Sequence, residues 1–171
     1  MNNQKGLTLV ELLAAIVIFS VIAIFATSIL LNSIKTYAKI NSDTVLRDEA
    51  DIIMANLIKG IYTSKDSEIT FIENISNNNY YLKQNTPVNG SALETGFKDS
   101  KVWIKGSILT LNNSQLEVIW EESNIDIFEG ANRDRSYHIT LTLNNKSKNV
   151  KKTFRSEVRS INDLEREDEE S

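Results

Sequence analysis

Cysteine is absent from the 171 residues, proline occurs once, at Pro87, and histidine once, at His138. Lack of cysteine removes disulfides, thiol nucleophiles and thiolate metal sites, although it does not by itself fix the redox compartment. His138 has no serine or acid beside it in a nucleophile pattern, and there is no glycine-rich phosphate cradle. The chain is therefore expected to be neither an enzyme nor a cofactor carrier. The shortage of proline has a structural consequence: no proline interrupts a helix between Leu7 and Tyr62.

Charge is nearly missing from the segment KGLTLVELLAAIVIFSVIAIFATSILL, residues 5 to 31, where Glu11 is the one charged side chain beyond Lys5. The 25 residues from Leu7 to Leu31 reach about 38 Å as a helix, enough to cross a hydrocarbon core of about 30 Å. A secretory signal has a shorter apolar core and a small-residue exit site, and no such ending follows Leu31. The segment is thus expected to stay in the mature chain, with Lys5 favouring a cytoplasmic amino terminus. A carboxylate within a membrane segment costs about 2.5–3.5 kcal/mol on insertion scales, so Glu11 calls for a partner.

Gly6 followed by Leu7-Thr8-Leu9-Val10-Glu11-Leu12-Leu13 resembles the processing site of type IV prepilins and type II secretion pseudopilins. The resemblance covers about the first 30 residues. It implies a leader, residues 1–6, removed by prepilin peptidase between Gly6 and Leu7, methylation of the new amino terminus at Leu7, and Glu11 as the assembly glutamate. It also implies as partners other pilin or pseudopilin subunits, an inner-membrane assembly platform, and membrane lipid before assembly. Leu7 stands where phenylalanine is more usual, and the proline often found in the family's transmembrane helix is missing. In the family the glutamate pairs with the amino-terminal cation of a neighbouring subunit, a contact strengthened by low local dielectric and better understood as fixing register than as adding stability. The competing reading is a single-pass anchored binding module that does not polymerise.

Beyond Leu31, Ile34, Tyr37, Ala38, Val45, Leu46, Ile53, Leu57 and Ile61 recur at spacings near 3 and 4 between charged residues, predicting an amphipathic continuation over 32–63. Asn41-Ser42-Asp43 is a possible local break, and Gly60 a possible end signal. From Glu68 onward the period becomes two. Tyr137, Ile139, Leu141 and Leu143 alternate with polar residues, Asn144-Asn145-Lys146 reads as a turn, and the returning Val150, Phe154 and Val158 share one parity, predicting a hairpin. Val102–Lys105, Ile108–Leu111 and Leu116–Glu121 read as further strands, the last two joined by Asn112-Asn113-Ser114, with Ile69–Glu73 and Tyr80–Lys83 as weaker ones. The stretch from Pro87 to Asp99 reads as a surface connection. The expectation is an α+β, pilin-like fold: a long amino-terminal helix packed on a mainly antiparallel sheet, with the β-rich domain over 64–162 and an acidic tail over 163–171.

Three features bear on function within that domain. Glu121, Glu122, Asp126, Glu129 and Asp134 supply the oxygen ligands calcium takes, but without EF-hand spacing, and equally suit a solvated loop. Lys146, Lys148, Lys151, Arg155 and Arg159 lie on the predicted hairpin, where a cationic stripe engages DNA phosphates or a neighbouring subunit. Glu157 interrupts the stripe, and no aromatics alternate with it for base stacking. Residues 32–171 keep the net charge of −4, because Lys5 and Glu11 cancel, which disfavours nonspecific nucleic-acid binding by the whole domain. A strand-rich domain ending Val158-Arg159-Ser160-Ile161-Asn162 resembles the larger minor pilins and J-type minor pseudopilins. Glu11 also separates the chain from the family's extreme-tip subunit, which commonly lacks that acid. Adhesion, motility, protein secretion and DNA uptake share one assembly apparatus and are not distinguished by these residues.

Overall fold

The computed structural model describes residues 8–88, 91–130 and 135–163. Its elements are a helix α1 (Leu9–Tyr62) and nine strands: β1 (Ile69–Asn74), β2 (Asn79–Val88), β3 (Ser91–Lys98), β4 (Lys101–Ile104), β5 (Ser107–Leu109), β6 (Leu116–Val118), β7 (Asn124–Glu129), β8 (Arg135–Asn145) and β9 (Val150–Arg159). This is an α+β fold of the pilin-like kind, a long amino-terminal helix with antiparallel sheets. The chain divides into two units, Met1–Asp43 and Thr44–Ser171.

In the first unit the described residues are helical from Leu9 onward, and residues 9–41 are exposed throughout. Ile34 and Tyr37, expected on the buried stripe, are 57% and 74% exposed, and Ala38 is exposed too. The helix continues through Asn41-Ser42-Asp43 without a break in assignment. Three short polar residues do not outweigh the cooperative helix on either side of them.

In the second unit, Leu46, Ala50, Ile53, Met54, Leu57 and Ile61 form the buried stripe of α1, each within 7% of full burial. Burying a large side chain of this kind is worth about 1.5–3 kcal/mol, so the stripe rather than intrinsic propensity anchors this half of the helix. Gly60 lies inside the helix rather than just past it. A Cβ there would sit 2.8 Å from Thr95 Cγ2, so the missing side chain lets α1 approach β3. The last carbonyls are satisfied locally: the Ser64 hydroxyl donates to Gly60 O at 2.9 Å, and the Thr63 hydroxyl to Lys59 O at 2.7 Å.

The strands form two sheets where one was expected. The first is a meander in the order β1-β2-β3-β4-β5; in the second, β8 pairs β6 and β7 along one side and β9 along the other. All named strand pairs are antiparallel. The segment through Asn112-Asn113-Ser114 therefore joins two sheets instead of closing a hairpin. Glu121 and Glu122 lie in a 3-10 turn (Trp120–Glu122), beyond the end of β6.

The stretch from Pro87 to Asp99 is not a surface connection: β2 runs to Val88, and Ser91–Lys98 is β3, with Thr95, Gly96 and Phe97 buried. Its sequence, SALETGFK, carries little alternation, and pairing with β2 and β4 makes it a strand. Gly96 has φ +140°, and a Cβ there would lie 2.4 Å from the Tyr80 carbonyl oxygen, so no other residue fits. On β8, Tyr137, Ile139, Leu141 and Leu143 are buried as their alternation predicts. The strand extends through Asn145, so the turn is Lys146–Asn149 rather than Asn144–Lys146.

The end of the second sheet is stitched to the end of α1. Ile161 donates its N–H to Ser64 O at 2.9 Å and accepts from Asp66 N at 3.0 Å. Asp163, expected to begin a free tail, accepts from the Ser67 backbone N–H at 3.0 Å and its hydroxyl at 2.6 Å. These bonds hold its carboxyl below the usual aspartate range. The rest of the acidic tail, 164–171, lies outside the described residues.

Candidate functional site

The amino-terminal residues that carry the processing motif divide at Thr8. Gly6 and Leu7 lie outside the described residues, and Thr8 opens the described chain directly before α1. The Thr8 backbone N–H and its hydroxyl both donate to Glu11 Oε2, at 2.8 and 2.9 Å, while Glu11 N–H donates back to Thr8 Oγ1 at 3.3 Å. This is a reciprocal capping box, in which a hydroxyl residue and an acid three positions on satisfy the orphan donors of a helix start. It also places a negative charge at the positive end of the helix dipole. The T-x-x-E spacing of Thr8 and Glu11 is visible in the sequence, and Thr8 is the residue that the family motif alone does not single out. Within this chain, then, Glu11 is held by Thr8, and both contacts fall on Oε2.

The helix beyond it solves the hydrogen-bonding problem of an apolar medium internally. The Ser20 hydroxyl donates to Ile16 O at 2.7 Å and the Thr27 hydroxyl to Ala23 O at 2.8 Å, so these polar groups need no outside partner. It is the one helix among the described residues long and apolar enough to cross a membrane, and its most apolar stretch is exposed. Shallow apolar notches of about 510 and 440 Å³ lie on either side of Ala23, where small side chains alternate with Phe19, Ile24 and Leu31.

The remaining sequence candidates lie in the second unit. The acidic set is dispersed: Glu121 and Glu122 on the 3-10 turn, Asp126 and Glu129 on β7, with Asp134 outside the described residues. Among the described residues no group of three or more His, Asp or Glu side chains is arranged to hold a metal ion. Asp126 instead accepts from the Asn124 amide at 3.1 Å, and Glu129 pairs with Arg135 at 3.1 Å.

Lys146, Lys148, Lys151, Arg155 and Arg159 fall on the β8–β9 turn and along β9, several beside acids. Lys146 Nζ is 3.6 Å from Glu117, Lys151 Nζ 2.5 Å from Glu122, and Arg159 Nε 4.0 Å from Glu157. Arg155 borders a groove between β9 and α1. His138 is directly across from Glu157 on β9 and Asp126 on β7; its Nε2 is 3.8 Å from Glu157, and its ring lies 4.3 Å from that of Phe128.

Residues 1–27 match the family model described as the prokaryotic N-terminal methylation motif. No curated protein matches the chain, and no solved structure does. A methylation motif across the first 27 residues, an exposed apolar helix capped by Thr8 and Glu11, and antiparallel sheets on the second half of that helix support the chain's resemblance to the type IV pilin and pseudopilin family.

Proposed function

We propose that the chain is a minor pilin or pseudopilin, a structural subunit cut by prepilin peptidase between Gly6 and Leu7 and built into a filament through α1. The observation that carries this reading is the coincidence of the methylation motif with a helix whose large apolar residues from Leu9 to Ile40 are exposed among the described residues. Membrane lipid covers that surface before assembly, with the amino terminus cytoplasmic and the β domain extracytoplasmic. The helices of neighbouring subunits cover it afterwards. Candidate systems are a type IV pilus, a type II secretion pseudopilus and a competence pseudopilus for DNA uptake, each with an inner-membrane assembly platform.

The capping box gives Glu11 a defined role in this assembly. Thr8 occupies Oε2 and fixes the carboxylate at the start of the helix, while Oε1 carries neither of those bonds and is the atom to receive the amino-terminal ammonium of a neighbour. In a low-dielectric surround such a charge-assisted bond penalises any register that leaves either charge without its partner.

Coexpression with a prepilin peptidase, followed by determination of the amino terminus, tests the proposal. A start at Leu7, lost in Gly6→Ala, is the expected result; an unprocessed Met1 start would sink it. Glu11→Ala should still be processed yet lose cross-linking to companion subunits, whereas an anchored monomeric module would be indifferent to that change.

A further inference from the structure

The apolar run of α1 ends on a polar face. No charged side chain lies between Leu12 and Leu31, and the 20 residues from one to the other rise about 30 Å, the thickness of the hydrocarbon core of a bilayer. Glu11 therefore marks one boundary of that core and Asn32 the other. Lys35 and Lys39 follow, roughly 5 and 11 Å beyond Asn32 along the axis. The headgroup layer on each side of the core is about 5–8 Å deep.

Asn32, Lys35 and Lys39 stand three and four residues apart and so line one face of the helix. All three are exposed, and among the described residues neither lysine enters an ion pair. The Ser33 hydroxyl beside them is satisfied within its own helix, donating to Ile29 O at 2.9 Å. Asp43 lies one turn past Lys39, farther from the apolar run. Two ammonium groups at this spacing repel each other, and an anion held between them removes that cost.

Side chains leave a helix tilted toward its N-terminus, which here is the side of the apolar run. A lysine stem also lies along apolar surface while its ammonium stays in polar surroundings. Both effects carry the Lys35 and Lys39 ammonium groups back to the depth of lipid phosphates. Tyr37, 74% exposed and between them in sequence, is of the residue type that sits at the headgroup level. We propose that Asn32, Lys35 and Lys39 bind the phosphate of an anionic phospholipid in the extracytoplasmic leaflet. Position favours a lipid over a dissolved anion, because the three side chains directly follow a run that matches the hydrocarbon core in length. The contact fixes the depth at which the stored subunit lies, with Glu11 at the opposite boundary, and it is given up when α1 leaves the bilayer for a filament. It therefore rests on the membrane-inserted state in the proposed function.

The full-length chain in phosphatidylcholine vesicles, with a trace of spin-labelled lipid, provides the test. Lipid in contact with a membrane helix is motionally restricted, and the size of the restricted component compares one headgroup with another. The association of spin-labelled phosphatidylglycerol relative to spin-labelled phosphatidylcholine is expected to be about fivefold or more, since each lysine near a membrane surface contributes roughly that factor. Lys35→Gln/Lys39→Gln should remove most of this preference, and Lys35→Arg/Lys39→Arg should keep it. Both pairs of changes fall on exposed helix positions, and their circular dichroism should be that of the wild type.

Equal restricted components for the two headgroups in the wild type, or a preference unmoved in Lys35→Gln/Lys39→Gln, would overturn the proposal and leave the membrane helix standing. No restricted component for either lipid would show that α1 does not lie in the bilayer, and would defeat the membrane reading together with the proposal. Inorganic phosphate, set against chloride at equal ionic strength, should not displace the spin-labelled phosphatidylglycerol. Displacement by phosphate alone would assign the site to a free ion and overturn the lipid.

Discussion

The Glu49 carboxylate on α1 accepts the backbone N–H of Asn112 at 2.8 Å, across 63 residues of sequence. Glu49 is 5% exposed, and the bond ties the helix to the segment that passes from the first sheet to the second. This link explains a polar residue beside Leu46, Ala50 and Ile53 on the buried side of the helix. Glu49→Leu is expected to destabilise the β domain by about 1–3 kcal/mol by leaving the Asn112 N–H without its acceptor. Glu49→Gln, which retains an acceptor oxygen, should cost less. Chemical denaturation of the full chain in detergent measures both, and equal losses would show that the hydrogen bond is not the source of the effect.

Gly60→Ala exchanges a poor helix former for the best one and should still be harmful. Helix propensity favours the change by about 1 kcal/mol, but the new methyl would meet Thr95 Cγ2 at 2.8 Å and Oγ1 at 3.3 Å. Thr95 is buried, and its hydroxyl accepts from the Lys105 backbone N–H at 3.1 Å, so it has little freedom to move. Overpacking of this kind costs about 1–3 kcal/mol. Lower thermal stability than wild type is expected, with recovery in Gly60→Ala/Thr95→Ser.

Ser100→Gly should stabilise the fold. Asp99 and Ser100 form the two-residue turn between β3 and β4 with φ +52° and +53°, the left-handed conformation in which a residue bearing a Cβ is penalised by about 1–2 kcal/mol. The turn from β4 to β5 already has glycine as its second residue, Gly106. Asp99 should be retained, because its N–H donates to Asn79 Oδ1 at 2.8 Å. A rise in denaturation midpoint is expected for Ser100→Gly, and a fall for Asn79→Ala.

Alkaline pH should loosen the β domain. The hydrogen bonds from Lys98 Nζ to both oxygens of Glu94, at 2.8 and 2.7 Å, raise the lysine above its ordinary value of 10.5. Burial raises Tyr137 above its ordinary 10.0. Both native values exceed the unfolded ones, so the stability they confer is complete below about pH 10 and falls as pH rises through the native values. A declining denaturation midpoint above about pH 10 is the expected result, with a shallower decline in Tyr137→Phe. An unchanged midpoint across that range would contradict it.

Much of the fold is legible in the sequence because local pattern and environment agree. Tyr137, Ile139, Leu141 and Leu143 alternate and are buried; Val150, Phe154 and Val158 share the less exposed parity of β9. The helix from Leu9 to Tyr62 follows from an unbroken run of helix-compatible residues. β3 is illegible for the opposite reason: SALETGFK lacks a two-residue period, and its strand conformation comes from neighbours on both sides. β7 is hidden by its acids, although Ile125, its second residue, is fully buried.

The sequence by itself determined the amino-terminal end: the processing motif, an apolar segment of membrane length, and a glutamate three positions after a threonine. These are local properties, set by side chains within a few residues of one another along one helix. Tertiary structure alone decided that the strands divide into two sheets, that Glu49 serves Asn112, and that a groove lies between β9 and α1. Which strands neighbour one another depends on contacts between residues far apart in sequence, where the cost of loop closure is offset by burial and pairing, and no local pattern records that outcome.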